Sequence, residues 1–399
     1  MRCMRPTPSV LALALAAGLA TAAALAQPST DAAAMIARIE APQLPDRQGL
    51  DALTLDQVMR RFRVPGVSVA VIRDFKIDWA KAYGVADAST GRPVRTDTPF
   101  QAASISKPVT ALAAMRLVQE GRFGLDDDVN RHLKGWRVPD GALTRQQPVT
   151  PRTLMSHTSG ADDGFGFPGY EPAAPRPSVV QILDGASPSN VGKVTFARPP
   201  YAAYKYSGGA VTLMQLVIGD VTGEDFAALM QSRVLGPLGM ADSSFEQPPP
   251  ESRAARLAHA HNGQGAHGAV PWHIYPEQAA AGLWTTPSDL ARLVIEVQEA
   301  TRGAKGKVLT QASAREMTAP VGTGPYAVGF GVEQRGQGWY FAHGGSNWGF
   351  RCSLVAHVRK GYGVVVMTNG DAGGGVIAEI EARVASAYGW DSLDKPLLR

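Results

Sequence analysis

Cysteine is nearly absent from this chain, which carries only Cys3 and Cys352 among 399 residues. Cys3 lies in a predicted export signal, so the mature chain would keep one cysteine and could form no internal disulfide. Long apolar runs are also lacking: beyond the N-terminal segment, no stretch approaches the roughly 20 residues that span a bilayer. The chain also lacks any cluster of Lys and Arg, and its formal net charge is only +4. We therefore expect no nucleic-acid partner.

The N-terminal segment has the pattern of a secretory signal peptide. Arg2 and Arg5 precede an apolar run over residues 10–24, and small residues ending at Ala26 form a cleavage site. We expect residues 1–26 to be removed on export to the periplasm or the medium, with no membrane anchor left after cleavage. Loss of the two arginines lowers the formal charge from +4 to +2.

Predicted strands lie at both ends of the remaining chain and predicted helices lie in the middle. Two β-rich runs near the start are separated by a hairpin turn at 74–76, and further strands follow after residue 327. The economical fold class is α+β: one antiparallel sheet built from both chain ends, flanked by helices, with an inserted mainly helical domain. The predicted strands are 67–72, 77–85, 327–334, 338–342, 350–358 and 363–367, and the predicted helices are 53–62, 104–120, 210–221, 226–235, 290–299 and 376–388.

The same pattern divides the chain into segments. Residues 27–50 are predicted to be a linker, residues 51–390 one catalytic domain, and residues 391–399 a tail. Within the domain, the sheet lobe would comprise 51–105 and 305–390, and the helical lobe 106–304. Residues 161–200 lack periodicity and are rich in Gly, Pro and Phe, which fits either a lid or binding wall or a tolerated surface insertion.

The first chemical motif is Ser104-Ile105-Ser106-Lys107 at the start of the best-defined helix. Residues three apart on a helix share a face, so the hydroxyl and the amine lie one turn apart, as a nucleophile and its base require. The helix N-terminus also favours the negative charge that develops on an attacked carbonyl. The motif alone is weak, because Ser392-Leu393-Asp394-Lys395 matches it too. Ser104 as an ordinary N-cap and Lys107 as a solvated lysine are the alternatives.

Two further motifs supply polar groups suited to the same reaction. Tyr206 lies in the segment Tyr204 to Gly209 before a helix, where a phenol beside a lysine can relay a proton; a packing aromatic is its alternative. His343-Gly344-Gly345-Ser346 ends a predicted strand, and its glycines would let a substrate approach the backbone. The N-H of Ser346 would then complete an oxyanion hole with that of Ser104, while a plain turn and a polar sheet-edge His343 are the alternatives.

In order and spacing these three motifs resemble the penicillin-recognising serine hydrolases, which include class C β-lactamases, D-aminopeptidases, DD-peptidases and β-lactamase-like esterases. The resemblance runs from about residue 53 to 388. Two segments support it, 154–160 (LMSHTSG) and 282–289 (GLWTTPSD), and both are interpreted as scaffold, His157 included. The resemblance implies a β-lactamase/transpeptidase-like fold, Ser104 as the acylated nucleophile, Lys107 as its base, Tyr206 as the proton relay, and Ser346 as the second oxyanion amide.

Two positions depart from the pattern of that family. Gly208 stands where an Asn usually holds the acyl side chain of the substrate, and His343 replaces the usual Lys, which removes a permanent positive charge. Both departures weaken the case for an efficient β-lactamase, and the His-x-Gly resembles the D-aminopeptidase and esterase branches. Arg351 would restore carboxylate recognition if its side chain points into the cleft, which strand alternation leaves open.

Three other readings compete with this one. His259, His261, His267 and His273 form the densest histidine group, but no acidic or Cys ligand accompanies them, so we expect no metal and no cofactor. An α/β-hydrolase would need a Gly-x-Ser-x-Gly elbow, which the sequence lacks. A penicillin-binding sensor without turnover is the alternative that is not an enzyme.

The function expected from the sequence is hydrolysis of an ester or amide through an acyl-enzyme on Ser104. The partner would be a small ester, an amide or a cell-wall peptide, with esterase or D-amino-acid peptidase-like activity. A class C-like β-lactamase or a DD-peptidase is the enzymatic alternative.

Overall fold

The computed structural model describes residues 30–45, 48–163, 166–336 and 338–390. The predicted signal peptide at 1–26, the predicted tail at 391–399, and with it the second Ser-x-x-Lys match, lie outside the described residues. Within the described ranges, no helix is both long and apolar enough to cross a bilayer.

A seven-stranded sheet in which all neighbouring strands are antiparallel forms the centre of the described structure. Its order is β3-β2-β1-β9-β8-β7-β6, so strands from the two ends of the chain meet where β1 pairs with β9. This confirms the α+β fold class. The strands are β1 Gly66–Arg73, β2 Lys76–Asp87, β3 Arg92–Pro93, β4 Phe100–Gln101, β5 Trp284–Thr285, β6 Gly331–Arg335, β7 Gly338–Asn347, β8 Phe350–His357 and β9 Gly363–Thr368, with β4 and β5 forming a separate pair.

Helices cover both faces of this sheet and fill the middle of the chain. In chain order they are α1 Thr30–Glu40, α2 Leu55–Phe62, α3 Ser106–Gln119, α4 Pro151–Met155, α5 Val179–Asp184, α6 Gly208–Thr222, α7 Phe226–Met230, α8 Gly236–Leu238, α9 Glu251–Ala254, α10 Gln278–Ala281, α11 Pro287–Thr301, α12 Gln311–Glu316 and α13 Gly373–Tyr388. Short 3-10 turns lie at Leu50–Ala52, Ala103–Ile105 and Val129–Arg131, and a π-turn at Gln231–Leu235 continues α7 into α8.

The two faces of the sheet bury two separate cores. Along β1, Val67, Val69 and Val71 pack with α1, α2 and α13, whereas Ala70 and Ile72 face the larger core that includes α3 and α11. Successive side chains of a strand point to opposite faces, so a strand that is apolar at nearly every position is buried on both sides. Each fully buried valine stabilises the fold by roughly 1.5 to 3 kcal/mol.

Helix α11 packs on this sheet although the sequence placed it in the helical lobe. It lies against β1 and β9 and buries Leu290, Leu293, Val294 and Val297 in the larger core. The predicted boundary at residue 304 is therefore wrong for α11, because its apolar stripe finds its partner on the sheet.

The prediction that residues 27–50 form a linker is wrong for the part that the structure describes. Helix α1 occupies Thr30–Glu40 and buries Ala32, Ile36 and Ile39 against the outer core. Arg383 of α13 secures this segment, because its guanidinium donates to the carbonyls of Ile39, Ala41, Leu50 and Leu53 at 2.9 to 3.2 Å. Alanine-rich composition suggested a tether, but the docking depends on a residue 330 to 344 positions away.

We expect Arg383→Met to lower the free energy of unfolding by about 3 to 5 kcal/mol, because it breaks the buried ion pair with Glu379 and takes the donor away from four carbonyls. The side chains of Arg383 and Glu379 are 0% and 1% exposed, and the Arg383 Nε lies 2.8 Å from the Glu379 Oε1. Arg60→Met is the matched control, since Arg60 pairs with Asp56 at the surface and should change stability by less than about 1 kcal/mol. Urea unfolding measures both, and equal losses would contradict the prediction.

Glu277 is a buried carboxylate at the start of α10. Its residue is 0% exposed, and neither carboxylate oxygen has a hydrogen-bond partner among the described residues. Burial raises the pKa of Glu277 from 4.5 to about 7, because a low-dielectric surrounding disfavours the charged form. The folded chain therefore binds this proton more tightly than the unfolded chain does.

We expect this carboxyl group to make stability fall as the pH rises from about 4.5 to about 7, with a full penalty of about 3 kcal/mol above that range. Glu277→Gln removes this titrating group. The free energy of unfolding of the variant minus that of the parent should therefore be about 3 kcal/mol larger at pH 8 than at pH 5. Glu251→Gln, at an exposed position, is the control. A difference for Glu277→Gln that is the same at both pH values would sink the idea.

Candidate active site

Ser104 and Lys107 meet at the N-terminal end of α3, in the larger core. Ser104 lies in the 3-10 turn Ala103–Ile105, and Lys107 is in the first turn of the helix. The Lys107 Nζ is 2.8 Å from the Ser104 Oγ and 2.8 Å from the carbonyl oxygen of Ala280 in α10. Lys107 is only 2% exposed, so its amine is held between two fixed partners instead of water.

This geometry decides between the two readings of the motif. The N-cap of α3 is Ile105, and within the described residues no side chain caps that helix. Ser104 is therefore not an ordinary N-cap, and Lys107 is not a solvated first-turn lysine. The predicted helix start at 104 was early by two residues, because the turn that presents Ser104 is tighter than an α-helix.

The backbone that presents Ser104 is held in an unusual conformation. Ala103 has φ = 48°, in the left-handed region that residues with a side chain rarely adopt. Ser106 holds it there: its Oγ donates to the Ala103 carbonyl at 2.6 Å and accepts from the Leu283 N-H at 3.0 Å. Strain of this kind persists only where surrounding contacts fix it, and it concentrates at functional sites. No role was predicted for Ser106 from the sequence.

Tyr206 lies on the other side of Lys107, in the loop before α6. The Lys107 Nζ is 5.0 Å from the centroid of the Tyr206 ring, and Tyr206 is 39% exposed. The ring therefore joins the buried amine to solvent. Both Tyr206 and Ser104 open onto one cleft of about 360 Å³, which is also lined by Tyr326, His343, Gly344, Gly345, Ser346, Arg351, Cys352, Gly374 and Ile377.

The predicted motif at 343–346 lies within β7, beside the turn that carries Ser104. A Cβ on Gly345 would fall 2.3 Å from the Ala102 carbonyl oxygen, so only glycine lets the strand approach that turn. At Gly344 the nearest described atom would be 3.8 Å away, which leaves this position open. The two glycines thus have different uses: Gly345 allows contact with the chain itself, and Gly344 leaves the exposed face free.

His343 is buried and uncharged. It is 4% exposed, and its Nδ1 lies 2.7 Å from the carbonyl oxygen of Gly344. Because a carbonyl only accepts, Nδ1 carries the proton and Nε2 is left as an acceptor, which has no partner among the described residues. Burial and the nearby Lys107 lower the pKa of His343 to about 3. At neutral pH this side chain therefore brings no positive charge to the cleft.

Arg351 borders the cleft, but its charge is already paired. Its guanidinium lies 3.0 Å from a carboxylate oxygen of Asp371 and donates to the carbonyls of Asn347 and Phe350. A substrate carboxylate would have to compete with Asp371. The proposed replacement for the missing lysine charge is thus weak in this arrangement.

Gly208 begins α6, and the space beside it is filled. A Cβ at this position would fall 2.5 Å from Cε2 of Phe167, which belongs to the long loop predicted over 161–200. The loop ends are tied together, since Asp162 N-H donates to the Thr195 carbonyl at 2.7 Å. An aromatic ring thus takes the place that an asparagine side chain would need.

Two aromatic neighbours of Tyr206 were not predicted as site residues. Tyr326 lines the cleft and packs edge-on against Tyr206, with ring centroids 6.0 Å apart. The His157 ring lies closer: its centroid is 4.3 Å from that of the Tyr206 ring, and the interplanar angle is 36°. Tyr326 follows a Gly/Pro-rich stretch with no motif around it, whereas His157 belonged to a segment that the sequence analysis interpreted as scaffold.

The dense histidine group is spread over several different partners. His261 is buried, accepts from the Ala88 N-H at 3.1 Å and bonds the Asn369 carbonyl at 2.8 Å. His259 faces Asp87, and His273 stacks on Trp348 with ring centroids 4.2 Å apart. Across the described ranges, no group of three or more His, Cys, Asp or Glu side chains could hold a metal ion.

The fold and the cleft together define a serine hydrolase with a β-lactamase/transpeptidase-like architecture. The chain belongs to the beta-lactamase family, whose model matches residues 52–388.

Individual relatives agree with this assignment. The chain is 30% identical over 349 residues to esterase EstB of Burkholderia gladioli, covering 79% of this chain and 80% of that protein. Two solved structures share the fold. EstCE1, described as a hydrolase with promiscuous acyltransferase activity, superposes with a TM-score of 0.69 at 22% identity, over 89% of this chain and all of that one. D-amino acid amidase from Ochrobactrum anthropi SV3 superposes with a TM-score of 0.68 at 23% identity, over 90% of this chain and 99% of that one.

Proposed function

We propose that this hydrolase cleaves an ester or amide bond by acylating Ser104, with Lys107 and Tyr206 moving the proton. The observation that carries the proposal is the 2.8 Å separation of the Lys107 Nζ and the Ser104 Oγ, in a cleft that also exposes Tyr206. The N-H groups of Ser104 and Ser346 would hold the developing oxyanion, since the α3 N-terminus favours negative charge there.

In acylation, Oγ attacks the carbonyl carbon and its proton passes to Nζ. Lys107 can accept this proton while an N-H of the same amine still donates to Ala280, so its position does not change. The proton then moves through Tyr206 to the leaving alcohol or amine as its bond to the carbonyl breaks. In deacylation water attacks the acyl carbon, gives its proton to Tyr206, and the proton returns through Lys107 to Oγ.

The group of the substrate that faces His343 is proposed to be uncharged. Neutral, buried His343 supplies no positive charge, and Arg351 is paired with Asp371, so a carboxylate finds no free cation among the described residues of this wall. Short esters and peptide-like amides fit this environment. The relationship to esterase EstB supports the ester arm, and β-lactams, which carry a carboxylate, rank second.

We also propose that the enzyme acts after export, with cleavage following Ala26. The support is the sequence pattern of residues 1–26 alone, with two arginines before an apolar run.

Ser104→Ala should abolish turnover of p-nitrophenyl butyrate while the chain still folds, with a lower melting temperature, because Lys107 loses one hydrogen-bond partner but keeps the Ala280 carbonyl. Tyr206→Phe should lower kcat by about 100- to 10,000-fold, the range for a lost acid-base group. Steady-state kinetics and thermal melts measure both. Retained esterase activity in Ser104→Ala, or a loss below tenfold in Tyr206→Phe, would refute the respective role.

His343→Lys should raise kcat/KM for a cephalosporin acid relative to its methyl ester by about 10- to 100-fold, since a charge-assisted hydrogen bond contributes about 1.5 to 3 kcal/mol. The matched control His343→Gln also fills the site but stays uncharged, so it should keep the preference of the parent for the methyl ester. The two substrates differ only in the carboxylate, so comparing them separates charge recognition from general damage. An unchanged ratio in His343→Lys would count against the assignment.

A further inference from the structure

The loop that carries Tyr206 is fastened on both sides to one residue of a distant segment. The N-H of Lys205, just before Tyr206, donates to the His157 carbonyl at 2.9 Å. The N-H of Ser207, just after it, donates to the His157 Nδ1 at 3.2 Å. The two bonds bracket Tyr206, so the direction in which its side chain leaves the backbone is set by His157.

The ring of His157 also supports the Tyr206 ring itself. Their centroids are 4.3 Å apart at an interplanar angle of 36°, and Tyr326 closes the other edge of the histidine at 4.9 Å. An imidazole therefore lies against one face of the phenol, which restricts the rotation of Tyr206 even though that residue is 39% exposed.

His157 is held in a conformation that few residues adopt. Its φ is 59°, in the left-handed region, although it is buried and just beyond the end of α4. Neighbouring bonds fix it there: the Thr158 N-H donates to the Thr153 carbonyl at 3.0 Å, and the hydroxyls of Ser156 and Thr158 lie 2.8 Å apart. The Thr158 bond closes the common helix end in which the residue after the C-cap is left-handed, so these contacts fix the backbone of His157 and the carbonyl that Lys205 binds.

The protonation state of His157 matches its bonds. Because Nδ1 accepts from Ser207, the ring proton is on Nε2. Burial, with Lys107 and His343 nearby, lowers the pKa of His157 well below 6.5. The acceptor on Nδ1 is thus available at neutral pH.

We propose that His157 is the positioning residue for Tyr206, which holds the phenol in reach of Lys107 and Ser104 through its carbonyl, its Nδ1 and its ring face. The proposal rests on the proton-relay role given to Tyr206 above. His157 does not line the cleft, so it acts through Tyr206 and not on the substrate. The segment 154–160 was interpreted from the sequence as scaffold. It thus contains a residue that acts on the reaction by positioning Tyr206, without contacting the substrate.

Two amide substitutions test this with matched chemistry. In His157→Asn the side-chain oxygen falls near the place of Nδ1, and asparagine tolerates a positive φ; in His157→Gln the oxygen falls about one bond further out. We expect His157→Gln to lower kcat about 100-fold with little change in KM, the effect of misplacing a reacting group by about 1 Å. His157→Asn should recover at least tenfold of that loss. Rates are expressed per active site titrated with a fluorophosphonate, so misfolded protein does not contribute.

A double-mutant cycle with Tyr206→Phe separates positioning from a general structural role. If His157 acts through the Tyr206 hydroxyl, adding His157→Gln to Tyr206→Phe should lower kcat by less than about threefold more, because coupled residues are not additive. Equal factors in both backgrounds, or equal losses in the Asn and Gln variants, would overturn the positioning role while leaving the relay intact. A Tyr206→Phe enzyme that is as fast as the parent would instead remove the relay role itself.

Discussion

The site depends on the two hydrogen bonds made by the buried amine of Lys107. An amine removed from water is strongly destabilising unless its hydrogen bonds are replaced, and here the Ser104 hydroxyl and the Ala280 carbonyl replace them, each at 2.8 Å. The first partner comes from the start of α3 and the second from α10, about 170 residues further along the chain. The amine therefore has both of these partners only when the two elements are packed together, which couples assembly of the site to the fold.

The charge states of the side chains on the opposite wall of the cleft limit which substrates the site is proposed to accept. A lysine in β7 would present a permanent cation, but His343 is neutral in this buried position and its free nitrogen accepts instead of donating. Arg351 has its charge matched by Asp371. The proposed nucleophile is thus surrounded by groups better suited to an uncharged ester or amide. Under the proposed function, fold membership and substrate preference are set by different residues, and only the second set departs from the family pattern.

Regular elements were predictable where their signal is contained in consecutive residues. The β1 and β2 hairpin and the closing helix α13 follow from period-two and period-3.6 apolar patterns, and each lies within a few residues of its predicted bounds. Errors arose where a distant partner decides. Residues 30–40 have the composition of a tether, but Arg383 binds the Ile39 carbonyl and so holds this segment in place. Helix α11 has the pattern of a helical-lobe element, but it packs against β1 and β9. No local pattern contains that information.

The sequence by itself determined the class of the fold and which serine and lysine come together, because a Ser-x-x-Lys at a helix start needs only one helical turn to bring its ends together. Only the tertiary structure decided which groups surround that pair. The approach of β7 to the Ser104 turn, the ring of His157 under Tyr206, and the neutral state of His343 all join residues that are tens to hundreds of positions apart. Burial and packing set these features, and both are properties of the folded whole and not of any one segment.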